Sequence, residues 1–326
     1  MTTEQLYPLE LDRYLSTRLW GGDRLASFLS LSEPAGDEPL GEAWSVYSGN
    51  RVLNGPLQGE TLEELSAALG AALVGTVAAG RYGDRFPLLA KFIDAGDKLS
   101  IQVHPDDAYA REHEPDSGFL GKSEAWLILE AEPDARIIWG FKDALSADEV
   151  KRAAQEERLE PHLNFIPVRA GDVIYNPAGT VHAIGAGIFL YEIQQASDLT
   201  YRLYDYGRRD SSGKPRDLHL DKALAVADLT PGEHAHVTPE PLGADRTQLL
   251  KTEHFATERW EVSGELSAAT DEASADLLSV LSGTLTVRSG ATEVTLKQGA
   301  SCVVPAALGA YTVVGEGVLL RSYVPA

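Results

Sequence analysis

The segment Gly171-Asp-Val-Ile-Tyr-Asn-Pro177-Ala178 returns as Gly299-Ala-Ser-Cys-Val-Val-Pro305-Ala306, at a constant offset of 128 residues. A glycine feeding a short β-prone run that a proline terminates describes a tight turn leading into one brief strand. Its recurrence points to one supersecondary unit used in both halves of the chain. The neighbouring sequence has the same texture. Leu99–His104, Ala125–Leu129, Asp172–Tyr175 and Phe189–Ile193 are short runs of mostly β-branched, aliphatic or aromatic residues, several bounded by turn residues. They read as strands of a sandwich or barrel. Leu277–Leu281, Thr284–Val287, Ser301–Val304 and Val318–Arg321 repeat the pattern and predict a second all-β unit. The same offset sets Ala310 opposite His182, so the C-terminal copy lacks a polar residue that the first copy carries. The first copy therefore reads as chemical and the second as structural.

Helices interrupt the first half. Thr61-Leu-Glu-Glu64 and Ser146-Ala-Asp-Glu149 fit the capping box and precede stretches rich in Ala, Leu, Glu and Arg. A third helix is expected at about Leu220 to Ala227, with Asp221 in its first turn. A length of 326 residues suffices for two domains, each with its own core.

Cys302 is the only cysteine, which rules out an intramolecular disulfide and leaves a bound metal to nitrogen and oxygen donors. The net charge of -21 argues against nucleic acid and anionic membranes as partners. A small anionic substrate would need a local island of Lys and Arg. Val173–Tyr191 lacks charged residues, but Asn176, Pro177, Thr180, His182 and several glycines interrupt it, so no membrane span is expected. Met1-Thr-Thr-Glu4 does not open a secretory signal, and a cytoplasmic location is expected.

In Gln102-Val103-His104 the period of a strand turns both polar side chains to one face of an otherwise apolar run. Glu124 begins another strand and His182 a third. A barrel interior would bring them together, and two imidazoles, a carboxylate and an amide suit Zn2+, although the same set could hold Fe or Mn. Each histidine taken alone is more often a hydrogen-bonded core residue. His234 and His236 read as a solvated linker, and His113 and His162 as exposed. The cationic island has candidates in Lys91, Lys122 and Arg202. Lys91 and Arg202 sit among apolar or aromatic neighbours, where a cation faces either a structural carboxylate, such as Glu42, Glu192 or Asp198, or a ligand.

Trp20-Gly-Gly, Gly41-Glu-Ala-Trp44, Phe86-Pro-Leu-Leu-Ala-Lys-Phe-Ile-Asp-Ala95, Leu99-Ser-Ile-Gln-Val-His-Pro-Asp-Asp107, Gly121-Lys-Ser-Glu-Ala-Trp126, Pro177-Ala-Gly-Thr-Val-His-Ala-Ile184, Tyr201-Arg-Leu-Tyr-Asp-Tyr206 and Arg216-Asp-Leu-His219 resemble, in order, the motifs of type I mannose-6-phosphate isomerases in their short bacterial form. The resemblance spans most of the chain. Ser123 and Ala125 depart from the residues that often flank the glutamate in relatives, without removing a ligand. From about Asp245 onward only the texture matches.

That resemblance implies a mainly β fold of two cupin-type jelly-roll barrels: a metal-binding domain with helical insertions over 1–240 and a metal-free cupin-like domain over 241–326. It implies that Gln102, His104, Glu124 and His182 bind zinc. It also implies a substrate pocket lined by Lys91, Lys122, Glu192, Asp198 and Arg202. The implied reaction interconverts mannose 6-phosphate and fructose 6-phosphate through an enediol, moving a proton between C1 and C2. Lys91, Arg202 and Lys122 are the expected phosphate anchors. Arg202, Lys122, Glu192 and Asp198 are the expected catalytic residues, and a monomer is expected. The rival readings are an Fe(II) cupin oxygenase and a non-catalytic sugar-phosphate-binding cupin.

Overall fold

Two-residue alternation decides where the polar residues of this chain go. In the strand Glu124–Ala131, Trp126 and Ile128 join one buried cluster while Ala125 and Leu127 join another on the opposite face. The strand Ile188–Gln195 divides in the same way, with Ile188 and Leu190 on the first face and Phe189, Tyr191 and Ile193 on the second. In the strand Leu88–Ala95, Ile93 and Ala95 lie on the first face and Ala90 and Phe92 on the second. Glu124, Lys91, Glu192 and Gln194 have the parity of the first face, and all are buried.

The computed structural model describes residues 6–31, 39–209, 213–232 and 235–326. The architecture is mainly β, in sheets of seven, five and eight strands. Among the described residues none closes into a barrel. The seven-stranded sheet includes Glu124–Ala131, Ile188–Gln195, Leu88–Ala95, Tyr14–Gly22 and Leu40–Val46. The five-stranded sheet runs in the order Tyr201–Tyr204, Ile101–Val103, His182–Ala183, Arg136–Phe141 and Leu163–Pro167. A shared apolar cluster joins these two sheets, with Ile93, Trp126 and Leu190 from the first and Ile137 from the second. The site lies between them.

The predicted helices form. Leu62–Leu69 and Ala147–Gln155 both start with reciprocal capping boxes, at Thr61/Glu64 and Ser146/Glu149. The third spans Leu220–Val226. Val150, Ala153 and Ala223 from the last two helices cover the back of the five-stranded sheet, against Ile101, Val103 and Leu203.

Both copies of the repeat form a four-residue strand, Val173–Asn176 and Ser301–Val304, each followed by its proline. Gly171 and Gly299 precede them at φ of 92° and 77°, the left-handed region that favours glycine. The expected pair of strands at Leu277–Leu281 and Thr284–Val287 is instead one strand, Asp276–Ser289, with a bulge between Val280 and Ser282. Ala310–Tyr323 pairs with it on both sides of the bulge, so Gly283 bends the ladder rather than turning the chain. A side chain at Gly283 would meet Glu316 O at 2.1 Å. His236 also departs from expectation. It lies in a strand, His236–Val237, paired to Val173–Asn176, while His234 lies outside the described residues.

The eight-stranded sheet takes in the C-terminal strands together with Leu9–Glu10, which pairs with Ser301–Val304. Its interior holds an ionic network. Arg321 reaches Glu258 at 3.0 Å and Asp276 at 2.8 Å, Tyr311 donates to Asp276 at 2.7 Å, and Trp260 donates to Glu258 at 2.7 Å. Removing one member strands the others without water. Asp276→Ala is expected to lower stability by about 3–5 kcal/mol, read as a shift of the urea midpoint. A midpoint within experimental error of the parent would show that the network carries no such weight.

Candidate metal centre

Gln102 and His182 come from the five-stranded sheet, His104 directly follows the Ile101–Val103 strand of that sheet, and Glu124 comes from the sheet facing it. Register explains the meeting. His182 lies directly opposite Gln102 across the ladder, and Glu124 is paired to Gln194 and Asn176 on its own sheet. The donor atoms of His104, Glu124 and His182 all lie within 4.8 Å of one another, and all three residues are buried.

The proton positions on the imidazoles follow from their partners. Nδ1 of His104 faces Leu199 O and Nδ1 of His182 faces Thr180 O, each at 2.9 Å. A carbonyl only accepts, so both Nδ1 atoms carry hydrogen and both donate. Burial, reinforced by the Lys122 ammonium, pushes His104 down to about 3, which keeps that ring neutral. On a neutral ring Nε2 is then a lone pair. These atoms point at Glu124, at 3.3 Å from Oε2 for His104 and 3.2 Å from Oε1 for His182. Burial alone would raise the Glu124 carboxyl, but the Lys122 ammonium outweighs it and holds the carboxyl well below its usual range.

His104 Nε2 and Glu124 Oε2, both lone-pair-bearing and 3.3 Å apart in a dry site, repel unless a cation lies among them. Glu124 Oε1 makes no hydrogen bond within the protein. Lys122 Nζ contacts His104 Nε2 at 3.0 Å and also bonds Glu124 Oε2. The donor set therefore fits a divalent metal with nitrogen and oxygen ligands, and the backbone carbonyls behind the histidines supply the orienting contacts such sites use. Gln102 stands at the edge of the set. Its Nε2 lies 3.5 Å from His182 Nε2 and its Oε1 3.4 Å from Ser100 Oγ, so it would have to turn its amide over to offer oxygen.

A cavity of about 490 Å³ opens beside this cluster. Lys91, Lys122, Glu192, Asp198 and Arg202 all line it, as do Gln102 and Arg18. Lys91 donates to Glu192 at 3.0 Å and Gln194 at 2.9 Å and lies 5.0 Å from the Trp44 ring. Burial works against its charge, but Glu192 and then Glu42 raise it overall. The second oxygen of Glu192 accepts from Trp126 Nε1 at 2.9 Å. Asp198 is exposed to the cavity and makes no hydrogen bond or ion pair among the described residues. Arg202 donates to Ser100 Oγ at 3.3 Å and Asp217 O at 2.9 Å.

Glu42, anticipated as a partner for an internal cation, takes Arg18 at 2.8 Å and Trp44 Nε1 at 3.2 Å. Tyr14, Arg18, Trp20, Trp44 and Arg216 line the cavity without having been singled out as individual site residues. Trp20, Trp44 and Arg216 do stand inside the ordered motifs, which was the available signal. Of the other histidines, His162 is exposed, His113 ends a helix, His236 lies 3.4 Å from Asp172, and His219 Nδ1 accepts from the backbone N–H of Arg202 at 3.1 Å.

A buried His-Glu-His cluster set between two facing sheets, beside a cavity rich in Lys and Arg, is the make-up of a candidate metal site in a mainly β protein. Residues 9–119 match the family described as "Phosphomannose isomerase type I, catalytic domain", and residues 245–324 match "Mannose-6-phosphate isomerase, cupin domain". The chain is 36% identical to the mannose-6-phosphate isomerase of Streptococcus mutans, over 97% of this chain and 98% of that protein. The crystal structure of the mannose 6-phosphate isomerase from Bacillus subtilis superposes with a TM-score of 0.85 at 35% identity, covering 97% of this chain and 99% of that one. A zinc-bound mannose 6-phosphate isomerase shares the fold at a TM-score of 0.78 and 17% identity, over 98% of this chain and 100% of that one. The chain belongs to the type I mannose-6-phosphate isomerase family. No described helix is long and apolar enough to cross a membrane.

Proposed function

We propose that this chain interconverts mannose 6-phosphate and fructose 6-phosphate, using zinc held by His104, Glu124 and His182 with Gln102 as a fourth donor. The observation that carries the reading is the meeting of a buried His-Glu-His cluster with a cationic cavity in a chain of this family. We read the seven- and five-stranded sheets as the metal-binding jelly roll and the eight-stranded sheet as the second cupin-like unit. The C-terminal family match over residues 245–324 supports the latter. On this reading the chain divides at about residue 240, between the strands His236–Val237 and Glu240–Pro241, which pair into different sheets.

Zinc bound here would polarise the substrate's carbonyl and hydroxyl oxygens as a Lewis acid. The chain's own residues do the rest. Lys122 stands at the cluster, and Arg202 lies opposite Gln102 across the ladder, so these two are the cations placed to stabilise charge that develops at C1 and C2. Glu192 has both oxygens committed, to Lys91 and Trp126, and serves to hold Lys91. Among the described residues Asp198 makes no hydrogen bond or ion pair, and it adjoins Leu199, whose carbonyl holds His104, so it is the carboxylate able to carry a proton without breaking a bond of the fold.

A coupled assay should show conversion of mannose 6-phosphate that a chelator abolishes and added zinc restores. Tight sugar-phosphate binding without conversion would favour the sensor reading. Oxygen uptake with Fe(II) in place of isomerisation would favour the oxygenase.

A further inference from the structure

Asn176 is buried without a bond to explain it. It ends the strand Val173–Asn176, is 1% exposed, and neither Nδ2 nor Oδ1 has a hydrogen-bond partner among the described residues. Such an amide is destabilising where it stands, because it gives up its bonds to water and gains none within the protein. The repeated unit marks the position as particular to the first copy. Its counterpart 128 residues on is Val304, packed in the apolar core of the C-terminal sheet. The copy with Asn176 is the one that also carries His182, where the other has Ala310. Valine fills this strand position in one copy, so the amide in the other is not demanded by the fold.

The ladder sets Asn176 directly opposite Glu124. Residues so opposed project from one face with Cβ atoms about 4.5–5.5 Å apart. Ile174, two residues before Asn176, packs with Trp126, two residues after Glu124, in the cluster between the two sheets, so that face is the one turned to the histidines. Glu124 is thereby flanked by two amides, Gln194 and Asn176. Gln194 is fully committed: Oε1 accepts from Lys91 at 2.9 Å, and Nε2 donates to Gln195 O at 2.9 Å and Ser197 O at 2.7 Å. The carboxylate divides in the same way. Its Oε2 takes the Lys122 ammonium, whereas Oε1, 3.2 Å from His182 Nε2, makes no hydrogen bond among the described residues. An unbonded donor therefore stands across the ladder from an unbonded acceptor. Asn176 does not line the cavity, which leaves the carboxylate rather than the sugar as its partner.

We propose that Asn176 is a positioning residue of the metal centre: its Nδ2 donates to Glu124 Oε1 through a rotation of the amide side chain, and the bond holds the carboxylate in the orientation that presents it to His104 and His182. The zinc reading above supplies the identity of the metal, while the pairing of Asn176 with Glu124 does not depend on turnover. A carboxylate ligand held by a further hydrogen bond loses less freedom when it takes the metal, so the effect appears in metal affinity.

The test compares wild type with Asn176→Val and Asn176→Thr, two side chains of one shape of which only threonine can donate. Zinc affinity is measured by competition with a chromogenic chelator, alongside the thermal midpoint of the metal-free protein and the KM for mannose 6-phosphate. Asn176→Val is expected to weaken zinc binding about 10- to 100-fold, the range for a residue that orients a ligand, with KM unchanged. Asn176→Thr should fall between Asn176→Val and wild type. Asn176→Ala against Asn176→Ser gives the same contrast should the branched pair fail to fold. Zinc affinity in Asn176→Val equal to wild type, with a higher midpoint for the metal-free protein, would make Asn176 an unpaired core residue and overturn the proposal. Equal losses in Asn176→Val and Asn176→Thr would trace the effect to packing and overturn it as well. A wild type with no affinity for zinc would sink the zinc reading and this proposal together. If wild type binds zinc without isomerising the sugar phosphate, the expected order of affinities still upholds the positioning role.

Discussion

A His182→Ala chain, loaded with zinc and dialysed against metal-free buffer, is expected to retain far less than one equivalent of metal and to lose turnover in proportion. The reason lies in how completely the fold prepares this imidazole. Thr180 O holds its Nδ1 proton at 2.9 Å, and Trp126 packs edge-on against the ring with centroids 5.5 Å apart. The lone pair of Nε2 is thereby aimed at Glu124 Oε1, 3.2 Å away. Loss of a residue that merely orients a ligand weakens metal affinity roughly 10- to 100-fold, so loss of a direct donor should exceed that range. Gln102→Ala should weaken affinity less, because Gln102 must reorient its amide before it can donate oxygen. Metal analysis on both variants, with circular dichroism to confirm the sheets, decides the matter. Unchanged zinc in His182→Ala would remove His182 from the ligand set and with it the proposed centre.

The parts of this site that were legible in the sequence are those fixed by local geometry. Gln102 and His104 declare a shared face because they stand two residues apart in a strand, and Glu124 and His182 do begin strands. Spacing alone could not say that Glu124 faces the histidines from a second sheet, since that depends on how the sandwich closes. The ordered motifs supplied this link, because a family pattern carries tertiary information that one strand lacks.

What stayed hidden are pairings between distant segments. Arg18 and Glu42 meet across 24 residues, Lys91 and Glu192 across 101, and Trp126 and Glu192 across 66. Nothing in the immediate neighbourhood of Glu192 says that both its oxygens are taken. The same reason hid Asp205, which looks like an ordinary loop aspartate until Arg208 and Arg216 fold back onto it. In the C-terminal half, Leu277–Leu281 and Thr284–Val287 read as two strands, and the long ladder with Ala310–Tyr323 joins them into one across a bulge.

Arg202→Ala is expected to separate catalysis from metal binding. Its guanidinium donates to Ser100 and to the Asp217 carbonyl, and no donor atom of the His-Glu-His cluster is among its partners. Bound zinc should therefore stay near stoichiometric. Turnover should nevertheless collapse, because on the proposed reading Arg202 is a cation beside the reacting carbons. Burial, followed by the nearness of Arg216, already lowers the Arg202 pKa, as expected of a cation held where its charge is poorly compensated. Removing one preorganised donor to developing charge costs about 100- to 1,000-fold in kcat. Were Arg202→Ala to lose metal together with activity, Arg202 would be holding the metal centre rather than the substrate. Were it instead to raise KM with kcat unchanged, its part would be confined to holding the substrate, leaving Lys122 as the cation at the reacting end.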